Sequence, residues 1–179
     1  MNEPRRSKNM PKLLGTWMIT AAWLAVLGLL TLVFSGWMDK QHNPNQEISG
    51  AVRQDGAREV LLKRNRQGHY VATGAINGQE TRYLLDTGAT TVSVPEALAR
   101  KLGLEYGRPM SAHTANGTIT TYATMLDRVE LGNIVLWNVR AHINPHMEGE
   151  EVLLGMSFLK ELEFTQRGDT LLLRQFPVR

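Results

Sequence analysis

Tyr83-Leu84-Leu85-Asp86-Thr87-Gly88-Ala89-Thr90-Thr91-Val92 runs an apolar segment into Asp-Thr-Gly and leaves it on β-branched residues. This is the pattern of two strands joined by a tight loop. Asp before Thr-Gly is a competent turn by itself, because its carboxylate can accept a backbone N–H. The approach adds meaning. An Asp that ends a run as apolar as Tyr-Leu-Leu comes to rest partly buried, and a buried carboxylate is costly without partners. Asp86 is therefore the first candidate for a chemical role.

Working outward, the pattern on both sides is β. Upstream, Glu59-Val60-Leu61-Leu62-Lys63 predicts a short strand closed at Gln67-Gly68, and His69 to Ile76 a second. Asn77-Gly78 is a type I′ hairpin signal, and the return strand, Gln79 to Leu85, delivers Asp86. Downstream, Pro95 to Gly103 predicts a compact helix, with Pro at its start, bases in its last turn and Gly at its end. Thr114-Ala115-Asn116-Gly117-Thr118-Ile119-Thr120 is a second Asn-Gly hairpin. Its arms are small and β-branched, a surface that can stand over a cleft without collapsing into a core. Arg128 to Leu131 and Ile134 to Ile143 predict a third strand pair, followed by a polar loop from His142 to Glu151. Val152-Leu153-Leu154-Gly155 is a short buried strand, Met156 to Leu162 one or two helical turns, and Glu163 to Phe176 a closing hairpin about Gly168-Asp169. About eight to ten strands with one clear helix suit a mainly β fold, a small closed barrel.

The chain has 179 residues and no cysteine, which removes disulfides, thiolate metal sites and a cysteine nucleophile. Its net charge of +3 is confined to the start, where Arg5, Arg6, Lys8 and Lys12 outweigh Glu3. The remainder is balanced, so no phosphate-binding face and no nucleic-acid partner are expected. From Leu13 to Met38 there is no charged residue, and Trp17 and Trp37 lie near the two ends. A segment of ~20 apolar residues spans a bilayer, and indole rings prefer its interfaces. The core is too long for a signal peptide, and Val33-Phe34-Ser35-Gly36-Trp37 makes a poor cleavage site. The expected organisation is a basic cytoplasmic tail over 1–12, a transmembrane helix over 13–38, a flexible linker over 39–57 and a folded domain over 58–179. Positive charge before the span is expected to hold the N-terminus in the cytoplasm and that domain on the far side of the membrane.

Most other chemistry drops out. His142 and His146 have the separation of a helical metal pair, but Pro145 disfavours a helix there, so no metal is expected. Ser93 and Ser157 lack a Gly-x-Ser-x-Gly setting, and Gly-rich phosphate loops are absent. Carboxylate chemistry remains. It needs two acids, one to deprotonate water and one to protonate the leaving group. A two-fold dimer can supply the second by bringing the same residue of each copy to its axis.

Asp86-Thr87-Gly88-Ala89-Thr90 resembles the active-site sequence of the retropepsin-like (clan AA) aspartic proteases, in particular their bacterial membrane-anchored subgroup. The hairpin of Ala115, Asn116, Gly117 and Thr118 falls where that family places its flap. Leu153-Leu154-Gly155 before a short helix resembles the family's late element that packs behind the catalytic loop. The resemblance runs from about Gly68 to Phe176. It implies an aspartic endopeptidase without a cofactor, with Asp86 catalytic and the active site completed only in a homodimer acting on peptide or protein substrates. Thr87 would bond across the dimer, Gly88 would allow close backbone approach, and Thr90 would support the carboxylate. Two other readings stay open from the residues: a binding or dimerisation module that keeps the fold, and a structural β-domain with Asp86 as a turn residue.

Overall fold

The computed structural model describes residues 10–114 and 117–177. The predicted hairpin residues Ala115 and Asn116 and the basic residues Arg5, Arg6 and Lys8 lie outside them. Two units are present, residues 1–39 and 40–179. The first is occupied by helix α1 (Met10–His42), whose last residues belong to the second. From Gly15 on, α1 is long and apolar enough to cross a membrane. Its large apolar side chains between Trp17 and Met38 are exposed.

The second unit is mainly β. Among the described residues its strands are β1 (Gly50–Val52), β2 (Arg58–Lys63), β3 (Val71–Ile76), β4 (Gln79–Leu85), β5 (Val92–Pro95), β6 (Pro109–Thr114), β7 (Gly117–Leu131), β8 (Ile134–Asn144), β9 (Glu151–Leu154), β10 (Glu163–Arg167) and β11 (Thr170–Gln175). Two short helices interrupt them, α2 (Glu96–Lys101) and α3 (Met156–Leu159). Seven strands form one sheet in the order β3-β4-β9-β5-β8-β7-β6. An extra pairing of β3 with β7, through Ala75–Glu130 and Ile76–Val129, curls that sheet into a barrel-like shell. A separate four-stranded sheet runs β1-β2-β11-β10.

The two sheets share one core because apolar side chains from both turn inward. Val60 and Leu62 of β2, Leu126, Val129 and Leu131 of β7, and Leu171 and Leu173 of β11 all turn into one core with Tyr83 and Phe158. Tyr83 is the largest member and completely buried. Its hydroxyl donates to the Ala75 carbonyl at 2.6 Å, which satisfies the one polar atom that the ring carries inward. Burial pushes the Tyr83 hydroxyl pKa well above its ordinary value. The ring lies against Gly74, where an added Cβ would stand 2.4 Å from Tyr83 Cε2.

Local signals place the connections. Asn77 and Gly78 both have positive φ, 51° and 81°, as a type I′ turn requires. Pro95 precedes α2, a Glu96–Arg100 pair of 2.8 Å bridges one helical turn, and Gly103 at φ 66° ends it.

Three expectations are revised. Strand β7 is a single 15-residue strand that serves both the second Asn-Gly hairpin and the strand pair after it. Apolar positions shift parity across it, with Leu126 and Val129 both inward, so the two halves look like separate strands in the sequence. Strand β8 extends to Asn144, beyond the predicted start of the loop. The segment 39–57 is not a featureless tether. It contains β1, and Asn43 and Asn45 are buried. The Asn45 amide donates to the carbonyls of Lys63 (2.9 Å) and Val71 (2.7 Å), and its Oδ1 accepts from Lys63 N–H at 2.7 Å. Polar composition suggested solvation, but here polar side chains replace missing ladder partners for the backbone of β2 and β3.

Candidate active site

Strands β4 and β9 run parallel, pairing Leu84 with Leu153 and Leu85 with Leu154. The carboxyl end of β4 therefore emerges beside Leu154, and the chain turns there through Asp86-Thr87-Gly88. Asp86 N–H donates to the Leu154 carbonyl at 3.2 Å, which extends the ladder by one residue into the loop. Gly88 N–H donates to Asp86 Oδ1 at 2.8 Å, and Ala89 N–H to the Asp86 carbonyl at 3.3 Å. Asp86 is half-buried, with one carboxylate oxygen oriented by main chain. It thus has the turn geometry that any Asp-Thr-Gly can adopt, set at the floor of a cleft.

Gly155 explains how the loop is held. Met156 N–H donates to the Ala89 carbonyl at 2.8 Å. A Cβ on Gly155 would stand 2.4 Å from the Thr91 carbonyl and 2.7 Å from that of Ala89. Only a residue without a side chain lets the start of α3 lie so close against the Asp86 loop. On the far side, Val92 N–H donates to Ser157 Oγ (3.0 Å), which itself donates to the Arg140 carbonyl (2.7 Å). Ser157, set aside in the sequence as a nucleophile, ties the loop's exit to β8.

The cleft above Asp86 has a volume of about 650 Å³. Gly88, Ala89, Thr90 and Thr91 form its floor; Ser93, His142, Asn144 and Leu153 form one wall. Strands β6 and β7 contribute Met110, Ser111, Ala112, His113, Ile119 and Thr121. They pair as the predicted hairpin, with Thr114 opposite Gly117 and His113 opposite Thr118. A side-chain bond between His113 Nδ1 and Thr118 Oγ1, 2.9 Å, links the two arms near the tip. The hairpin and the Asp-Thr-Gly loop are well apart in the sequence; the fold sets them across one cleft. Thr87 lies exposed on the loop, and Thr90 is exposed on the cleft floor.

His142 is the cleft residue that the sequence reading used only as a discarded metal ligand. It sits in β8 beside Ser93 of β5, with Nδ1 2.7 Å from Thr91 Oγ1. Burial pulls its pKa below the ordinary imidazole value. The available signal was periodic: Ala141, His142 and Ile143 alternate inward and outward along a strand paired with the loop's exit. His146 lies in the following turn, exposed, where its N–H donates to Asn144 Oδ1.

One carboxylate on a main-chain-held loop, under a hairpin and open to a cleft of peptide size, can act as half of an acid–base pair. Known proteins resemble this chain in sequence and fold. The model of the family described as "gag-polyprotein putative aspartyl protease" matches residues 72–161, which include both the loop and Leu153-Leu154-Gly155. An uncharacterized protein of Sinorhizobium sp., encoded in the cobV 5′ region, is 30% identical over 166 residues, covering 86% of this chain and 71% of that one. An uncharacterized protein of Rickettsia prowazekii is 27% identical over 109 residues, 59% of this chain and 46% of its own length. The crystal structure of a retropepsin-like aspartic protease from Rickettsia conorii superposes with a TM-score of 0.57 at 27% identity, over 72% of this chain and 96% of that one.

Proposed function

The chain belongs to the retropepsin-like aspartyl protease family, and from that premise we propose that it is a membrane-anchored aspartic endopeptidase active as a homodimer. The observation that carries the reading is the placement of Asp86, half-buried and hydrogen-bonded to Gly88 N–H, at the floor of the cleft that the β6–β7 hairpin overhangs.

In the proposed reaction the Asp86 carboxylates of two copies face each other across one water. Like charges so close cannot both ionise, so the pair holds a single proton. The ionised carboxylate takes a proton from water as its oxygen attacks the peptide carbonyl carbon. The protonated partner donates to the carbonyl oxygen, giving a tetrahedral diol. The carboxyl that took the water proton then donates it to the amide nitrogen while the other carboxylate takes a proton from a diol hydroxyl. The C–N bond breaks, both products leave and the pair again holds one proton. The Gly88 N–H bond fixes which oxygen of Asp86 faces the reaction, and Thr87 is offered to the partner loop. The substrate lies extended between the floor and the β6–β7 hairpin, where strand-like hydrogen bonds can hold it. Closure of Ala115, Asn116, Gly117 and Thr118 over it excludes water. α1 supplies the single transmembrane anchor, with the N-terminus cytoplasmic and the protease domain on the extracytoplasmic side of the inner membrane.

Full-length protein in detergent micelles, assayed on an unbiased peptide library from acidic to neutral pH beside Asp86→Asn, tests this. The expected result is cleavage that the variant loses by at least about a thousandfold, in keeping with removal of an acid–base group. Equal cleavage by both proteins would overturn the mechanism.

A further inference from the structure

The segment between the apolar span and the sheets is tied down early. Met38 is the last apolar residue of the expected span. Four residues later the His42 carbonyl accepts from the Asn65 amide at 3.0 Å. Three residues further on, Asn45 is buried and bonded to Lys63 and Val71. A chain covers at most about 3.6 Å per residue, so His42 lies no more than about 14 Å from Met38, whatever the direction. The headgroup layer on each side of a bilayer is about 5–7 Å thick. Its charge is felt for a further ~8 Å in physiological salt. The corner of the domain formed by residues 63–67 therefore stays within reach of lipid charge whenever α1 spans a bilayer.

That corner is basic. Lys63 ends β2 and pairs with Thr170, which pairs in turn with Arg167, and directly opposite residues share a face of a sheet. Lys63 and Arg167 are both exposed. Among the described residues neither side chain has an acidic partner. Arg64 N–H donates to the Asp169 carbonyl, and its Nη1 stands 3.7 Å from Asp169 Oδ1. Arg66 is exposed in the turn that follows. Lys63, Arg64, Arg66 and Arg167 thus share this corner with the single acid Asp169. From Asn45 the chain leads away, and Glu47 goes with it toward Gly132, against which Ile48 packs.

Across His42 the surface changes sign. His42 Nε2 lies 3.0 Å from Glu151 Oε1, beside a hollow of about 460 Å³ that Glu80, Glu148 and Glu150 also line. Arg82 lines the same hollow, and Lys101 pairs with Glu150. Attraction to an anionic surface therefore acts on one side of the place where the chain enters the domain. A balanced scatter of charge would favour no side, and residues 39–179 taken together are balanced.

We propose that the corner bearing Lys63, Arg66 and Arg167 docks on anionic phospholipid headgroups of the bilayer that α1 spans. The proposal rests on α1 as a membrane anchor and is independent of the chemistry at Asp86. Each Lys or Arg held at such a surface strengthens binding about fivefold, so three give about a hundredfold. The anchor makes this an intramolecular event, for which weak individual contacts suffice.

The absence of cysteine lets a single thiol report on position. Full-length Gln67→Cys, labelled with a fluorophore at the exposed turn, is reconstituted into vesicles of phosphatidylcholine alone or with a third of phosphatidylglycerol. Both carry a trace of lipid with a nitroxide on its headgroup, which quenches on contact. Quenching is expected to be at least about twofold greater in the anionic vesicles. Lys63→Gln, Arg66→Gln and Arg167→Gln together, or molar salt, should return it to the phosphatidylcholine level. A label on Gln79→Cys, at the other end of the β3–β4 pair from Val71, should be quenched equally in both lipids. Equal quenching at position 67 in the two lipids, no loss in the triple variant, or an equal rise at position 79 would overturn the docking. Extraction of the protein from vesicles by alkaline carbonate would refute the anchor. In that case a lipid-dependent rise at position 67, abolished in the triple variant, would still support the basic corner.

Discussion

Gly155→Ala isolates the contact that holds the Asp86 loop. Gly155 has φ −86°, which any residue adopts, so the substitution tests space and not backbone conformation. The new methyl would meet two carbonyl oxygens, Thr91 at 2.4 Å and Ala89 at 2.7 Å, where ordinary contacts begin near 3.4 Å. Relief requires one or both to move by several tenths of an ångström or more. Neither is the end of a flexible side chain. The Ala89 carbonyl also accepts from Met156 N–H, so its retreat weakens that bond. Overpacking of this kind costs roughly 1–3 kcal/mol, and a lost hydrogen bond about 1 kcal/mol more, giving about 2–4 kcal/mol in all. For a domain of this size that lowers Tm by roughly 4–16 °C. Urea unfolding of the micellar protein, followed by tryptophan fluorescence and near-UV circular dichroism, measures it. Under the proposed function peptide cleavage should fall as well, because the displaced carbonyls belong to the segment that leaves Asp86. Unchanged unfolding together with unchanged cleavage would refute the idea that Gly155 sets the position of the loop.

Two further outcomes follow from the same structure. Asn45→Ala removes three hydrogen bonds to the backbone of Lys63 and Val71 and leaves those groups without these partners, so a loss of about 3 kcal/mol is expected in denaturant unfolding; a loss below ~0.5 kcal/mol would mean that the segment before β1 does not stay docked. Burial holds His142 below its ordinary pKa of 6.5. The unfolded chain thus takes up a proton near that pH which the folded one resists, so this contribution is full above pH ~6.5 and is lost as pH falls toward the folded value. His142→Gln should flatten the decline of stability just below pH ~6.5, and identical slopes for the two proteins would contradict it.

The Asp86 loop was legible because its signals are local. Apolar Tyr83-Leu84-Leu85 before Asp86, Asn77-Gly78, and Pro95 with Gly103 each determine a few residues of backbone by their own chemistry. What the sequence concealed depends on partners distant along the chain. Asn45 looks solvated until β2 and β3 are seen to leave backbone groups for it. His142 looks like a surface strand residue until β5 brings Thr91 beside it. Ser157 lies in none of the settings that mark a nucleophile, and its bridge from Val92 to Arg140 joins segments with no shared pattern. The long β7 was divided by its own change of parity, which a simple alternation cannot reveal.

The loop that carries Asp86 is fastened largely through peptide groups: to Leu154, to Met156, and at its exit to Ser157. Several residues that shape the cleft above it, among them Met110, His113 and Ile119, take no part in those bonds. Reach and chemistry are thereby uncoupled. Under the proposed function, altering what the cleft accepts becomes a matter of exchanging wall side chains while the Asp86 loop beneath keeps its shape.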